Sequence, residues 1–168
     1  MKKFITLITN TFIFLIFFVV TIQTSYATEL EKLNLPTQSI NPGDFYFPAI
    51  RLWEKIVEKF QFNNDAKFKY SSSLIDKRIS ELGFIVKNQR LDEVQRSSQR
   101  LAYQVGILTD FLIKQRNKEM MNQLKIKINT FFPALSELRD NFPANSSFWM
   151  LVQHDINSLK EYSQKLSQ

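Results

Sequence analysis

The chain of 168 residues contains no cysteine, three glycines, five prolines and a single histidine. Without cysteine there is no disulfide framework, no thiolate metal ligand and no sulfur nucleophile. One histidine, His154, excludes any metal centre that needs two imidazoles from the same chain. So little glycine and proline argues against a fibrous or turn-rich all-β protein. Disorder is excluded from the other side, because 44% of the residues are hydrophobic and 14% aromatic. What is present is a globular composition with 23% charged residues and a net charge of +6. Such a mild excess suits anionic surfaces without selecting one.

The first residues read as an address. Lys2 and Lys3 make a positive start, Phe12 to Ile22 is an apolar run, and Ser25-Tyr26-Ala27 places small residues where a signal peptidase cuts. The expectation is a cleaved export signal over 1–27. The alternative is a retained anchor, since Phe4 to Ile22 approaches the roughly 20 residues that span a bilayer. Cleavage takes two lysines and no acid, leaving a net charge of +4. No cysteine follows the run, so lipid attachment at a lipobox is excluded. Residues 28–43, with Pro36, Pro42 and Gly43, read as a flexible leader, and 44–168 as a single helical domain. A chain of this size buries about two-thirds of its unfolded surface, enough for one core.

Helical periodicity fills the rest. Asp44 offers an N-cap, and Ile50, Trp53, Ile56, Val57 and Phe60 predict a helix over about 45–61. Asn63-Asn64-Asp65 ends it and caps a second helix over 65–88, with a stripe of Phe68, Ser72, Ile75, Ile79, Leu82 and Val86. The clearest seam is Leu91, Val94, Ser98, Leu101, Val105, Leu108 and Leu112, a helix over 91–116 interrupted in apolar character by Ser98 alone. Asp92 and Arg96 are spaced to pair on it. Met121, Leu124, Ile128, Phe131, Leu135 and Leu138 predict a helix over 118–140, bent near Pro133. Trp149, Val152, Ile156, Leu159 and Leu166 predict the last, over 146–166. With short links and no comparable strand pattern, the fold class is all-α, an antiparallel bundle of about five helices.

The run Pro42-Gly43-Asp44-Phe45-Tyr46-Phe47-Pro48, followed by Arg51-Leu52-Trp53-Glu54-Lys55, resembles the start of an uncharacterised family of exported bacterial and archaeal helical domains. The likeness continues through Phe60 to Lys67 and through Arg78-Ile79-Ser80-Glu81-Leu82, and covers about 42–110 well and 111–166 loosely. Phe45, Phe47 and Ile50 stand where proline, tyrosine and lysine are usual. The resemblance implies a helical fold outside the cytoplasm. The family is a domain of unknown function, so it lends no catalytic or binding residue.

The residues themselves offer little chemistry. His154 is out of phase with Val152 and Ile156 and belongs on a wet face, and the adjacent Asp155 diverges from it by about 100°. Gly-rich phosphate loops, calcium loops and carboxylate clusters at metal spacing are missing, so no catalytic residue, cofactor or metal is expected. Arg78 and Glu81, the polar pair matching the family, are spaced i,i+3, with Lys77 a competitor for the same carboxylate. They serve either an anionic partner or, the preferred reading, the packing of the first helix on the second. Lys114, Lys118, Asn122 and Lys125 are read as one helical stripe near Arg116 and Lys127, either a solvated face or a partner contact. Phe45, Tyr46, Phe47, Trp53, Phe60, Phe62 and Phe68 are expected to be mostly core.

The expected function is a non-enzymatic binding module of the cell envelope, with an envelope protein or anionic envelope polymer as partner. Nucleic acid is not expected for an exported chain, and membrane contact only in passing through the export signal. The apolar seams suit self-association as well as a single chain. The second reading is a periplasmic holdase, for which Gly83 and Gly106 would permit an open arrangement, and an envelope enzyme comes last.

Overall fold

The computed structural model describes residues 33, 35, 36, 38 and 40–168, so the expected export signal lies outside the described residues. Five helices and no strand are found among them: α1 Phe47–Lys59, α2 Asn64–Lys87, α3 Leu91–Gln115, α4 Lys118–Asp140 and α5 Ser147–Lys165. The fold is an all-α bundle.

Each start has a local cause. Asn63 accepts the Asp65 amide at 2.9 Å, Asn117 the Met120 amide at 3.1 Å and Ser146 the Trp149 amide at 3.3 Å, satisfying amides that a helix leaves unpaired. α1 differs. Its N-cap is Tyr46 with no side-chain cap, and Asp44, expected in that role, instead accepts the Phe47 amide on its backbone carbonyl. The turn between α3 and α4 rests on Arg116 in the left-handed region, φ 54°. α4 runs unbroken through Pro133, whose ring lies on the exposed side.

The core is built where the three-four spacing placed it. Ile75, Ile79 and Leu82 of α2 meet Val94, Leu101, Val105, Leu108 and Leu112 of α3. Leu124, Ile128, Leu135 and Leu138 of α4 and Val152, Ile156 and Leu159 of α5 complete it. α2 packs chiefly on α3, and α5 on both α3 and α4. Gly106 lets α3 approach α5 closely, since a Cβ there would stand 2.8 Å from the Tyr162 hydroxyl. Part of the expected leader is packed as well: Leu33 and Leu35 are buried in the core, and the Gln38 amide donates to the Lys77 carbonyl at 2.7 Å.

α1 is the exception. Among the described helices its backbone lies against α2 alone, with Arg100 of α3 over its Phe47 ring at 5.6 Å, and the aromatic cluster expected in the core is mostly outside it. Phe47 and Phe68 are buried, whereas Phe45, Tyr46, Trp53, Phe60 and Phe62 are exposed. The reason is on the opposite face of α1, where Glu54 is buried.

Candidate functional site

The side chain that fixes α1 is Glu54. Its carboxylate takes Arg51 and Lys77, each at 2.6 Å, and hydrogen-bonds to Arg78. Arg78 also bonds Glu81 within α2, and Arg100 of α3 stands 3.5 Å from the other Glu81 oxygen. Lys77, placed by spacing in competition for Glu81, serves Glu54 instead. The Tyr70 hydroxyl donates to the Glu54 carbonyl at 3.1 Å, and burial with the neighbouring Glu54 raises its pKa. Four cations thus surround two buried carboxylates and join three helices. Arg78 and Glu81 come together with the helix that the pair was read as fixing.

Burial pushes the Glu81 carboxyl up to about 7, with Arg100 the foremost charge pulling it back. Burial likewise lowers Arg100. A carboxyl near 7 has the acidity of a general acid or base. Glu81 is nevertheless fully buried and held between Arg78 and Arg100, which suits a structural tie.

The basic residues gather at one end of the bundle. α3 ends there beside the start of α2, where Asn64 donates to Gln115 at 3.1 Å. A groove of about 780 Å³ opens there between Arg116, Lys118, Asn122 and Lys125 on one side and Lys165 to Gln168 on the other. Ile113, Met121 and Leu166 supply its apolar lining, and no acidic side chain lines it among the described residues. Lys165 pairs with Glu161 at 2.8 Å, while Arg116, Lys118 and Lys125 carry no ion pair among the described residues.

Two expectations about this patch are corrected. The stripe is divided between two helices, because the turn at Arg116-Asn117 puts Lys114 on α3 and Lys118, Asn122 and Lys125 on α4. Lys114 is exposed beside the groove but does not line it. Lys127 leaves the patch altogether, pairing with Asp76 at 2.6 Å and donating to Ser72 at 2.9 Å.

One group escaped sequence reasoning. Asp155 of α5 is fully buried, and neither carboxylate oxygen has a hydrogen-bond partner among the described residues. Burial drives its pKa up to about 7, against an opposing pull from the Ser98 hydroxyl of α3. The signal was present, because Asp155 lies three residues after Val152 and four before Leu159, in phase with the apolar stripe. Ser98, the one polar residue of the α3 seam, is its counterpart. His154, by contrast, is exposed, with Nδ1 3.5 Å from the Ser158 hydroxyl.

The Asp92–Arg96 pair is not formed, and Arg96 turns to Glu93 at 3.2 Å. No group of three or more histidine, aspartate and glutamate side chains is placed to hold a metal among the described residues. None of the described helices is long and apolar enough to cross a membrane. Comparison with protein-family models, with curated proteins and with solved structures finds no match to the chain.

Proposed function

We propose that this protein is a non-enzymatic binding module of the cell envelope that holds an anionic partner in the groove between α4 and the end of α5. The observation that carries the reading is the convergence of Arg116, Lys118 and Lys125, without ion pairs among the described residues, on a groove that Ile113, Met121 and Leu166 make partly apolar and that no acidic side chain lines among the described residues. Cations without side-chain ion pairs beside apolar side chains suit a partner that carries both acidic and apolar groups, such as a segment of another envelope protein. The compartment rests on the positive, apolar and small-residue pattern of residues 2–27 and on the resemblance over 42–110.

The test is photo-crosslinking in living cells from a reactive residue placed at Asn122, in the groove lining. One recurrent partner, lost in Lys118→Glu/Lys125→Glu, is the expected result. Capture of the same protein by that double variant would overturn the assignment of the groove. The holdase reading has one observation in its favour, the exposed apolar face of α1. It requires instead a broad set of unrelated envelope proteins that grows under heat or ethanol stress.

A further inference from the structure

α1 is an amphipathic helix mounted with its polar side inward. At 100° per residue, Leu52, Trp53, Ile56 and Phe60 fall within about 100° of one another, and Glu54 lies about 150° from the middle of that arc. The four apolar side chains are 62, 62, 39 and 65% exposed, whereas Glu54 is 6% exposed. This orientation is imposed, because turning the aromatic stripe inward would pull Glu54 away from Arg78, Lys77 and the backbone that Tyr70 holds.

We propose that this outward face of α1 is an interfacial helix, which lies on an anionic lipid bilayer with Leu52, Trp53, Ile56 and Phe60 among the acyl chains. The surface is independent of the basic groove. Lipid is selected over other occupants by charge. α1 carries two acids, of which Glu54 is buried and Glu58 is half-buried on the inner side. Its exposed charges are Lys55 and Lys59, which run along one flank of the apolar arc. The outward face is therefore aromatic, aliphatic and cationic, the composition of helices that rest in a headgroup region.

A second copy docked antiparallel about a two-fold axis would bring each lysine pair towards its own symmetry mate, and docked parallel would set it against the flank of Ile50 and Val57, which carries no acid. The chain's own apolar run, Phe12 to Ile22, holds no acid and would leave both lysines without a counter-charge. Anionic lipid meets both requirements at once. At 13 residues the helix is about 20 Å long, too short to span a bilayer but suited to lying in its surface. This membrane contact differs from the passing one expected of the export segment.

The test uses the full chain with Trp149→Phe, which leaves Trp53 as the sole tryptophan, reconstituted with vesicles rich in phosphatidylglycerol. Trp53 is expected to shift its emission to the blue, to be quenched by lipids brominated near the headgroup and to be shielded from iodide. The Lys55→Gln and Lys59→Gln changes leave the apolar face intact and should each lower the ratio of docked to free helix about fivefold. Trp53 that stays open to iodide in vesicle-bound protein would overturn the proposal. So would shielding before lipid is added: if it grows with protein concentration the occupant is a second copy, and if it does not, the occupant is the chain's own apolar run. Phosphatidylcholine vesicles that shield Trp53 equally well would overturn the role of the lysines.

Discussion

α1 and α3 carry the same kind of sequence signal and are mounted in opposite senses. In α3 the stripe of Leu101, Val105, Leu108 and Leu112 is buried completely or nearly so, while the stripe of Leu52, Trp53 and Ile56 in α1, continued by Phe60 at its C-cap, faces solvent. Periodicity identifies a face but gives it no direction. Direction depends on what the other face of the helix must satisfy. The back of α3 carries exposed Gln95, Arg96, Gln99 and Tyr103, which water satisfies. The inner side of α1 carries Glu54, for which Arg78 waits in an interior that leaves that arginine only 1% exposed. Fully burying a large apolar side chain stabilises by about 1.5–3 kcal/mol, and breaking a buried ion pair costs about 3–5 kcal/mol. A single well-placed carboxylate therefore competes with a partly exposed aromatic stripe.

The comparison breaks first at Glu54. Glu54→Gln takes the carboxylate from Arg51 and Lys77 and leaves buried Arg78 with Glu81 alone, and a loss of about 3–5 kcal/mol is expected in urea unfolding. Leu108→Ala in the α3 seam should cost a similar 2–5 kcal/mol through loss of contacts and the cavity left behind. Equal costs from a charged and an apolar residue would establish that the two helices are held by different forces of like size. A Glu54→Gln loss below about 1 kcal/mol would mean that the ion network does not set the orientation of α1.

How much of this was legible follows from the same contrast. The helices of the bundle could be read because their seams repeat at three and four residues and their links are short. The Arg78–Glu81 contact could be read because it is i,i+3 on one helix. Glu54 could not be assigned to Arg78, since the two are 24 residues apart and nothing in the spacing joins them. Lys127 was misplaced for the same reason, its partner Asp76 lying 51 residues away. Asp155 was in phase with its stripe all along. Reading it as buried required accepting a carboxyl in an apolar seam, against the ordinary cost of such a group.

That carboxyl sharpens the contrast within the core itself, because Glu81 is compensated by arginines whereas Asp155 has no ion pair among the described residues, and the Ser98 hydroxyl opposes the effect of its burial. Asp155 is raised in the folded state, from 3.8 to about 7, so the unfolded chain releases its proton first. Its destabilising effect is absent below pH 4, grows as pH rises from about 4 to 7, and is complete above that range. From the two pKa values the penalty at pH 8 is at most about 4 kcal/mol. Asp155→Asn should accordingly raise stability at pH 8, have little effect at pH 4, and flatten the profile between them. Urea midpoints measured across that range decide it, and an equal change at both ends would assign the effect to packing instead of charge.

The smallest expected effect is the most telling for α1. Trp53→Ala removes the largest side chain of the outward stripe. Leu108→Ala removes a smaller one from a sealed seam, yet it should cost several times more. For a tryptophan 62% exposed, the change in unfolding free energy should stay within about 0.5 kcal/mol. A loss near 3 kcal/mol, of the size that a buried aromatic gives, would mean that the stripe is covered in the folded protein by a part of the same chain. Comparison at two protein concentrations separates that case from a second copy, because only association makes the midpoint rise with concentration. Near-neutral substitution in solution, together with loss of lipid docking by the same variant, is the combination that an outward-facing membrane helix requires.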